Sequence, residues 1–115
     1  MTLTLYLNYP KSRKPSVNIV AVLEEEIGPP LAHKILIEHN GGEPLPLTAK
    51  PKVAVDGMPI DPSDIHFDPA LDNGDDYWNI GERYVYSPPG AITEVEIIVV
   101  DPETNSIIMM GVLEP

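Results

Sequence analysis

An all-β fold, an antiparallel immunoglobulin-like β-sandwich of about seven to eight strands, is what this sequence predicts. Three observations carry that reading. Apolar residues alternate with period two in the clearest segments, as in the Val95, Ile97, Val99 series. Fourteen prolines, about twice the usual share, fall between the apolar runs and not in one tract. Proline cannot donate to a sheet ladder, so this spacing punctuates short strands. Finally, every window long enough for a helix is broken by proline or glycine, leaving no sustained helical stripe.

The elements follow in order. Leu3, Leu5 and Leu7 alternate with Thr4, Tyr6 and Asn8, which predicts a half-buried first strand. Val17 to Leu23 is apolar on both faces and reads as a central strand, ended by Glu24, Glu25, Glu26 and then Gly28-Pro29-Pro30. Leu31 to Asn40 is a third strand, stopped by Gly41-Gly42. Lys52 to Asp56 is a short strand that turns at Gly57. Met58 to Phe67 reads as irregular, Asp68 to Asp76 as an acidic loop around Asn73-Gly74, and Tyr77 to Tyr86 as a strand interrupted near Gly81. The closing hairpin runs from Ile92 to Val100, through Asp101-Pro102-Glu103-Thr104-Asn105, and back along Ser106 to Leu113.

At 115 residues the chain is long enough for one hydrophobic core, and residues 1–115 are expected to form a single domain. Hydrophobic residues make up 43% and charged residues 22%, a balance that argues against wholesale disorder. The formal net charge is −11. All acidic residues lie after Pro15, whereas three basic ones, Lys11, Arg13 and Lys14, lie before it. Such a surface repels phosphates and anionic lipid heads, so nucleic acid is not an expected partner. The chain has no cysteine, which removes disulfides, thiol catalysis and thiolate metal sites from consideration.

Each candidate for chemistry has a plainer reading beside it. His33 and His39 share a strand face with Ile35 and Ile37, but six residues of strand separate them by about 20 Å, too far to grip one metal ion. Each is read as a packed side chain with its polar tip near the rim, in preference to a ligand or base. His66, beside Asp64 and Asp68, is a single histidine among loop carboxylates. Asp68, Asp72, Asp75 and Asp76 could offer oxygens to Ca²⁺, yet their spacing does not fit the EF-hand pattern, which favours a solvated loop. Glu94 and Glu96 occupy the solvent side of a strand, without an apolar pocket to split their pKa values. Trp78, next to Tyr77, is either core or half of an aromatic contact surface for a sugar or a protein. No nucleophile elbow, zinc-protease motif, P-loop or dinucleotide fingerprint occurs. Catalytic, cofactor-binding and metal-ligating residues are therefore all expected to be absent.

One family shares short motifs with this chain. The segment Ile35 to Leu47, with His39-Asn40-Gly41-Gly42-Glu43 at its centre, resembles the strand, His-x-Gly-Gly-Asp/Glu, apolar signature of archaeal type IV pilins. Val53-Ala54-Val55-Asp56-Gly57 is similar to that family's short strand and turn, and Tyr77-Trp78-Asn79-Ile80-Gly81-Glu82 to its aromatic-x-x-Gly-Asp/Glu element. The likeness extends over roughly residues 17 to 113, through short and degenerate motifs. It implies the globular head of a pilin-like or archaellin-like protein, or an archaellum stator-type protein that binds the S-layer. The implied role is structural or adhesive and non-enzymatic, at the archaeal cell surface. Filament subunits or the S-layer would be its partners. In that family the head follows a cleaved signal and a long hydrophobic helix. Neither lies in this chain, and the abrupt strand at Thr2 raises the expectation that a membrane-anchoring segment precedes it in the gene. His39, Gly41, Gly42 and Gly81 would be structural members of the motif. Glycine allows the chain to reverse between sheets, and His39 would fix that corner by a hydrogen bond. Open sheet edges make homodimerisation by edge pairing a further expectation, one that Lys50, Lys52 and the prolines would oppose. The alternative is a stand-alone carbohydrate- or Ca²⁺-binding module using Tyr77, Trp78 and the acidic loop.

Overall fold

The computed structural model describes residues 3–6, 17–27, 31–68 and 76–114. They form an all-β fold in which every strand pairing is antiparallel. The strands are β1 (Leu3–Tyr6), β2 (Val17–Ile27), β3 (Ala32–Gly42), β4 (Leu45–Pro46), β5 (Lys52–Val55), β6 (Met58–Pro59), β7 (His66–Phe67), β8 (Tyr77–Trp78), β9 (Arg83–Tyr86), β10 (Val95–Val100) and β11 (Ile107–Leu113). Single 3-10 turns occupy Leu47–Ala49 and Pro62–Asp64. Four of these strands are only two residues long, so the seven or eight strands expected correspond to the longer ones.

A five-stranded sheet runs in the order β1-β2-β3-β9-β7, a four-stranded sheet in the order β11-β10-β5-β6, and β4 pairs with β8 alone. Inward-facing residues of all three sheets join one core. Ile19, Ala21, Leu23, Ile35 and Ile37 come from the first sheet, Val95, Ile97, Val99, Met109 and Leu113 from the second, and Leu45 and Trp78 from the third. Burial of each large aliphatic side chain contributes roughly 1.5–3 kcal/mol. What the arrangement shares with an immunoglobulin domain is the sandwich-like layering. Its strand order differs, because β1, β2 and β3 lie side by side in one sheet.

Two boundaries move relative to the sequence reading. Glu24, Glu25 and Glu26 do not end the second strand, which continues to Ile27. The reason is pairing on both sides: Glu24 lies opposite Tyr6 and Lys34, and Glu25 opposite Leu5 and His33. Nor do Gly41 and Gly42 stop the third strand; they pair with Asn18 and Val17 as its last two residues. The register shifts between Asn18 and Ile19, leaving Asn40 as the extra residue of a bulge, so His39 still faces the core opposite Ile19. Gly42, at φ 93°, then lets the chain leave the sheet toward β4. The stretch from Met58 to Phe67, expected to be irregular, contributes the short strands β6 and β7.

The hairpin turns are built as local chemistry requires. Asp56 and Gly57, at φ 50° and 83°, form the two-residue loop between Val55 and Met58. Asp-Gly is a favoured pair for that positive-φ turn. The Asp56 carboxylate also reaches across to accept hydrogen bonds from Thr93 N, Thr93 Oγ1 and Glu94 N, at 2.9, 2.7 and 2.9 Å. Those donors, the Thr93 hydroxyl first, hold the carboxyl below the usual aspartate range. In the closing hairpin, Asp101 Oδ1 accepts from Glu103 N, and Asn105 at φ 59° completes the turn.

Candidate functional site

The sequence-derived candidates His39, Gly81, Tyr77 and Trp78 converge on one corner, where the end of β3 meets the turn between β8 and β9. Gly81 sits in that turn at φ 90°, a conformation that a side chain would strain even though space is open around it. The backbones lock first. Gly81 N donates to His39 O at 2.8 Å, and His39 N donates to Glu82 O at 3.0 Å. Side chains then fill the angle. His39 Nε2 donates to the Glu43 carbonyl at 2.7 Å, the corner bond expected from sequence. Trp78 Nε1 donates to Glu82 O at 2.9 Å, so one carbonyl accepts from both strands. The Glu82 side chain is buried and accepts from Asn79 N, which caps the turn. The Trp78 ring stands edge-on to His39 and to Tyr84, with centroid separations of 6.1 and 4.9 Å. Burial, and then the neighbouring Glu82 carboxylate, push the Tyr84 hydroxyl up to about 12.

This corner holds structure and offers little to a reactant. Trp78 is fully buried, while Tyr77, one residue earlier, is 50% exposed. The two aromatics point to opposite faces of their strand and do not form a shared platform. With Nε2 donating, His39 keeps Nδ1 as a bare acceptor, enclosed in the core without a partner. His33 is equally committed. Its Nδ1 accepts from Ile92 N at 3.1 Å, which leaves the Nε2 hydrogen facing Glu25 Oε1 at a long 3.4 Å. The nitrogen that a general base would use is therefore occupied by a backbone amide.

The remaining candidates are dispersed. His66 is exposed and lines a depression of about 410 Å³ with Asp64 and Ser87. No hydrogen bond links these three side chains, so no nucleophile–base pair is assembled. Asp68 makes a 2.8 Å ion pair with Arg83 Nε, and Asp76 is an exposed residue whose carbonyl accepts from Leu47 N. Asp72 and Asp75 lie outside the described residues. Among the described residues, no three His, Asp or Glu side chains gather in a way that would hold a metal ion. None of the helical turns among them is long and apolar enough to cross a membrane.

Sequence reasoning missed the outward face of the four-stranded sheet. Lys52, Ala54, Pro59, Ile98, Met110 and Val112 line a groove there of about 520 Å³. Met110 and Val112 are 40% and 48% exposed. A signal was present: β11 reads Ile-Ile-Met-Met-Gly-Val-Leu, so its outward positions are apolar as well as its inward ones. Glu96 and Lys52 are the two charges on this face, and they cancel. No protein-family model, no curated protein and no solved structure matches this chain.

Proposed function

We propose that this chain is a non-enzymatic interaction domain that acts through protein–protein contacts. The observation that carries the reading is the contrast between its polar and apolar surfaces. The buried imidazoles and the indole are spent on backbone groups that hold the fold. The outward face of the four-stranded sheet instead presents a neutral apolar groove on a chain of net charge −11. Taken with the motif likeness around His39, Gly41, Gly42 and Gly81, the setting is the archaeal cell surface. There the chain serves as the head of a pilin-like or archaellum-associated protein, with filament subunits or the S-layer as partners. A carbohydrate-binding role would draw on Tyr77 without Trp78, whose ring is enclosed.

Immunogold labelling of intact source cells, together with binding of the purified protein to isolated S-layer sheets and filaments, tests this. Labelled filaments or envelope and saturable binding are the expected result. Exclusively cytoplasmic label, or a catalytic turnover lost in a folded His39→Ala variant, would overturn it.

A further inference from the structure

His33 is a buried titratable residue near the start of β3, with a different neighbour at each ring nitrogen. Nδ1 accepts from Ile92 N at 3.1 Å, and Nε2 faces Glu25 Oε1 at 3.4 Å. Ile92 lies in the connection that carries the chain from β9 to β10, and from Ser87 to Glu94 it is the one buried residue. Pro88 and Pro89 have no N–H to give. Among the described residues, the stretch from Pro88 to Glu94 makes its hydrogen bonds with two residues, His33 and Asp56. Asp56 holds Thr93 and Glu94, while His33 holds Ile92. An imidazole can accept at Nδ1 only while it is neutral. Protonation places a hydrogen on Nδ1 that meets the hydrogen of Ile92 N, so that bond cannot persist. The same charge converts the long Nε2 contact with Glu25 into a charge-assisted pair. The neutral ring therefore favours Ile92, and the charged ring favours Glu25.

We propose that His33 and Glu25 form an acid-operated clasp on this connection: on taking up a proton, the ring gives up Ile92 N, closes on Glu25 and frees the chain from Pro88 to Ile92. The clasp is independent of the apolar groove and of the interaction-domain reading. Its electrostatic surroundings suit a switch. Glu25 on β2 faces the ring, and Asp56 in the β5–β6 turn lies near enough for a charge at His33 to act on it. Glu94 follows Ile92 by two residues, and Tyr86 of β9 stands opposite Ile35. Lys34 points to the other face of β3, opposite Glu24. An imidazolium at His33 thus has carboxylates for neighbours on its own face. Asp56 makes the release stepwise. The donors from Thr93 and Glu94 hold its carboxyl below the ordinary aspartate value of 3.8, so those bonds are intact above that pH and are lost as the pH falls below it. Acid should free Ile92 first, in the range of roughly pH 5 to 8 where histidine changes charge, and Thr93 only much later.

Amide and imidazole NMR of the purified chain between about pH 8 and pH 5 tests the proposal. The His33 ring signals and the Ile92 amide shift should follow one titration curve. Across it the exchange protection of the Ile92 amide should fall roughly tenfold or more, while the Thr93 amide stays protected and circular dichroism shows the sheets intact. His33→Asn carries a side-chain oxygen that can accept where Nδ1 does and cannot titrate, so Ile92 should stay protected at both ends of the range. Glu25→Gln keeps an acceptor for Nε2 without the charge, and should move the Ile92 midpoint to lower pH by roughly half a unit or more. An Ile92 amide still protected at the acid end would overturn the proposal. So would release without a change at the His33 ring, equal release in His33→Asn, or unfolding of the sheets before Ile92 is freed. If His33→Asn does not fold, Glu25→Gln decides alone, and an unmoved midpoint there counts against the clasp.

Discussion

The corner at His39 and the outward face of the four-stranded sheet are built from similar side chains and end in opposite states. At the corner, Trp78, Tyr84 and Ile37 are enclosed, and the polar groups among them mostly find backbone partners. On the sheet face, Met110 and Val112 are half-exposed, and among the described residues the adjoining strand β11 pairs with β10 alone. The outward face of the five-stranded sheet sharpens the contrast, because Glu24, Glu26, Lys34, Glu38 and Arg83 are interspersed along it. Charges of both signs keep one face in water. Their near absence marks the other as a surface that a partner can cover.

If that division is right, substitutions at the corner should change stability, and substitutions on the open face should change association. Trp78→Ala should have the largest effect, a loss of roughly 3–5 kcal/mol, because it empties a fully buried site and removes the bond to Glu82 O. Chemical denaturation measures it, and a loss below about 1 kcal/mol would mean that the corner is not packed as described. Gly81→Ala should cost roughly 1–2 kcal/mol. Space around the added methyl is open, so the whole effect comes from the φ of 90°.

A smaller, pH-dependent effect concerns Tyr84. Its folded pKa is raised to about 12, above the ordinary value of 10.0, so the neutral hydroxyl is the form that the fold favours. The corresponding stability is fully present below pH 10 and is lost as pH rises toward about 12. In an alkaline titration followed by phenolate absorbance, Tyr84 should ionise at about pH 12, and Tyr84→Phe should flatten the alkaline fall in Tm. The smallest change in stability belongs to Val112→Lys, within about 0.5 kcal/mol, since the position is already half in water. A large destabilisation by that variant would place Val112 in the core and remove the contrast.

Much of this was legible in the residues, and the gaps have physical causes. The alternation of Val95, Ile97 and Val99 announced an inward face because one side of that strand packs on the core. Gly57 marked its turn because the Asp56-Gly57 pair tolerates positive φ at both positions. The glutamate run after Leu23 misled, since acidic residues usually close strands. Whether a strand continues depends on the neighbours it finds, and Glu24 and Glu25 lie between two strands in mid-sheet. The bulge at Asn40 was equally hidden, because the extra residue shows only once β2 is laid beside β3. At the site, the corner bond of His39 could be anticipated, but the burial of Glu82 could not. Nothing local distinguishes that glutamate from its exposed counterparts until Asn79 and the turn close over it. Tyr77 and Trp78 were the reverse case. Adjacent residues of a strand point to opposite faces, so their separation was implied by the pattern itself.

Amide hydrogen exchange, read residue by residue, compares the two regions most directly. The His39 and Gly81 amides should exchange slowly, held by Glu82 O and His39 O. The amides of half-exposed Met110 and Val112 should exchange faster than these in dilute solution. Equal or greater protection of the Met110 and Val112 amides, or rapid exchange at His39 and Gly81, would contradict the division of the molecule into a closed corner and an open face.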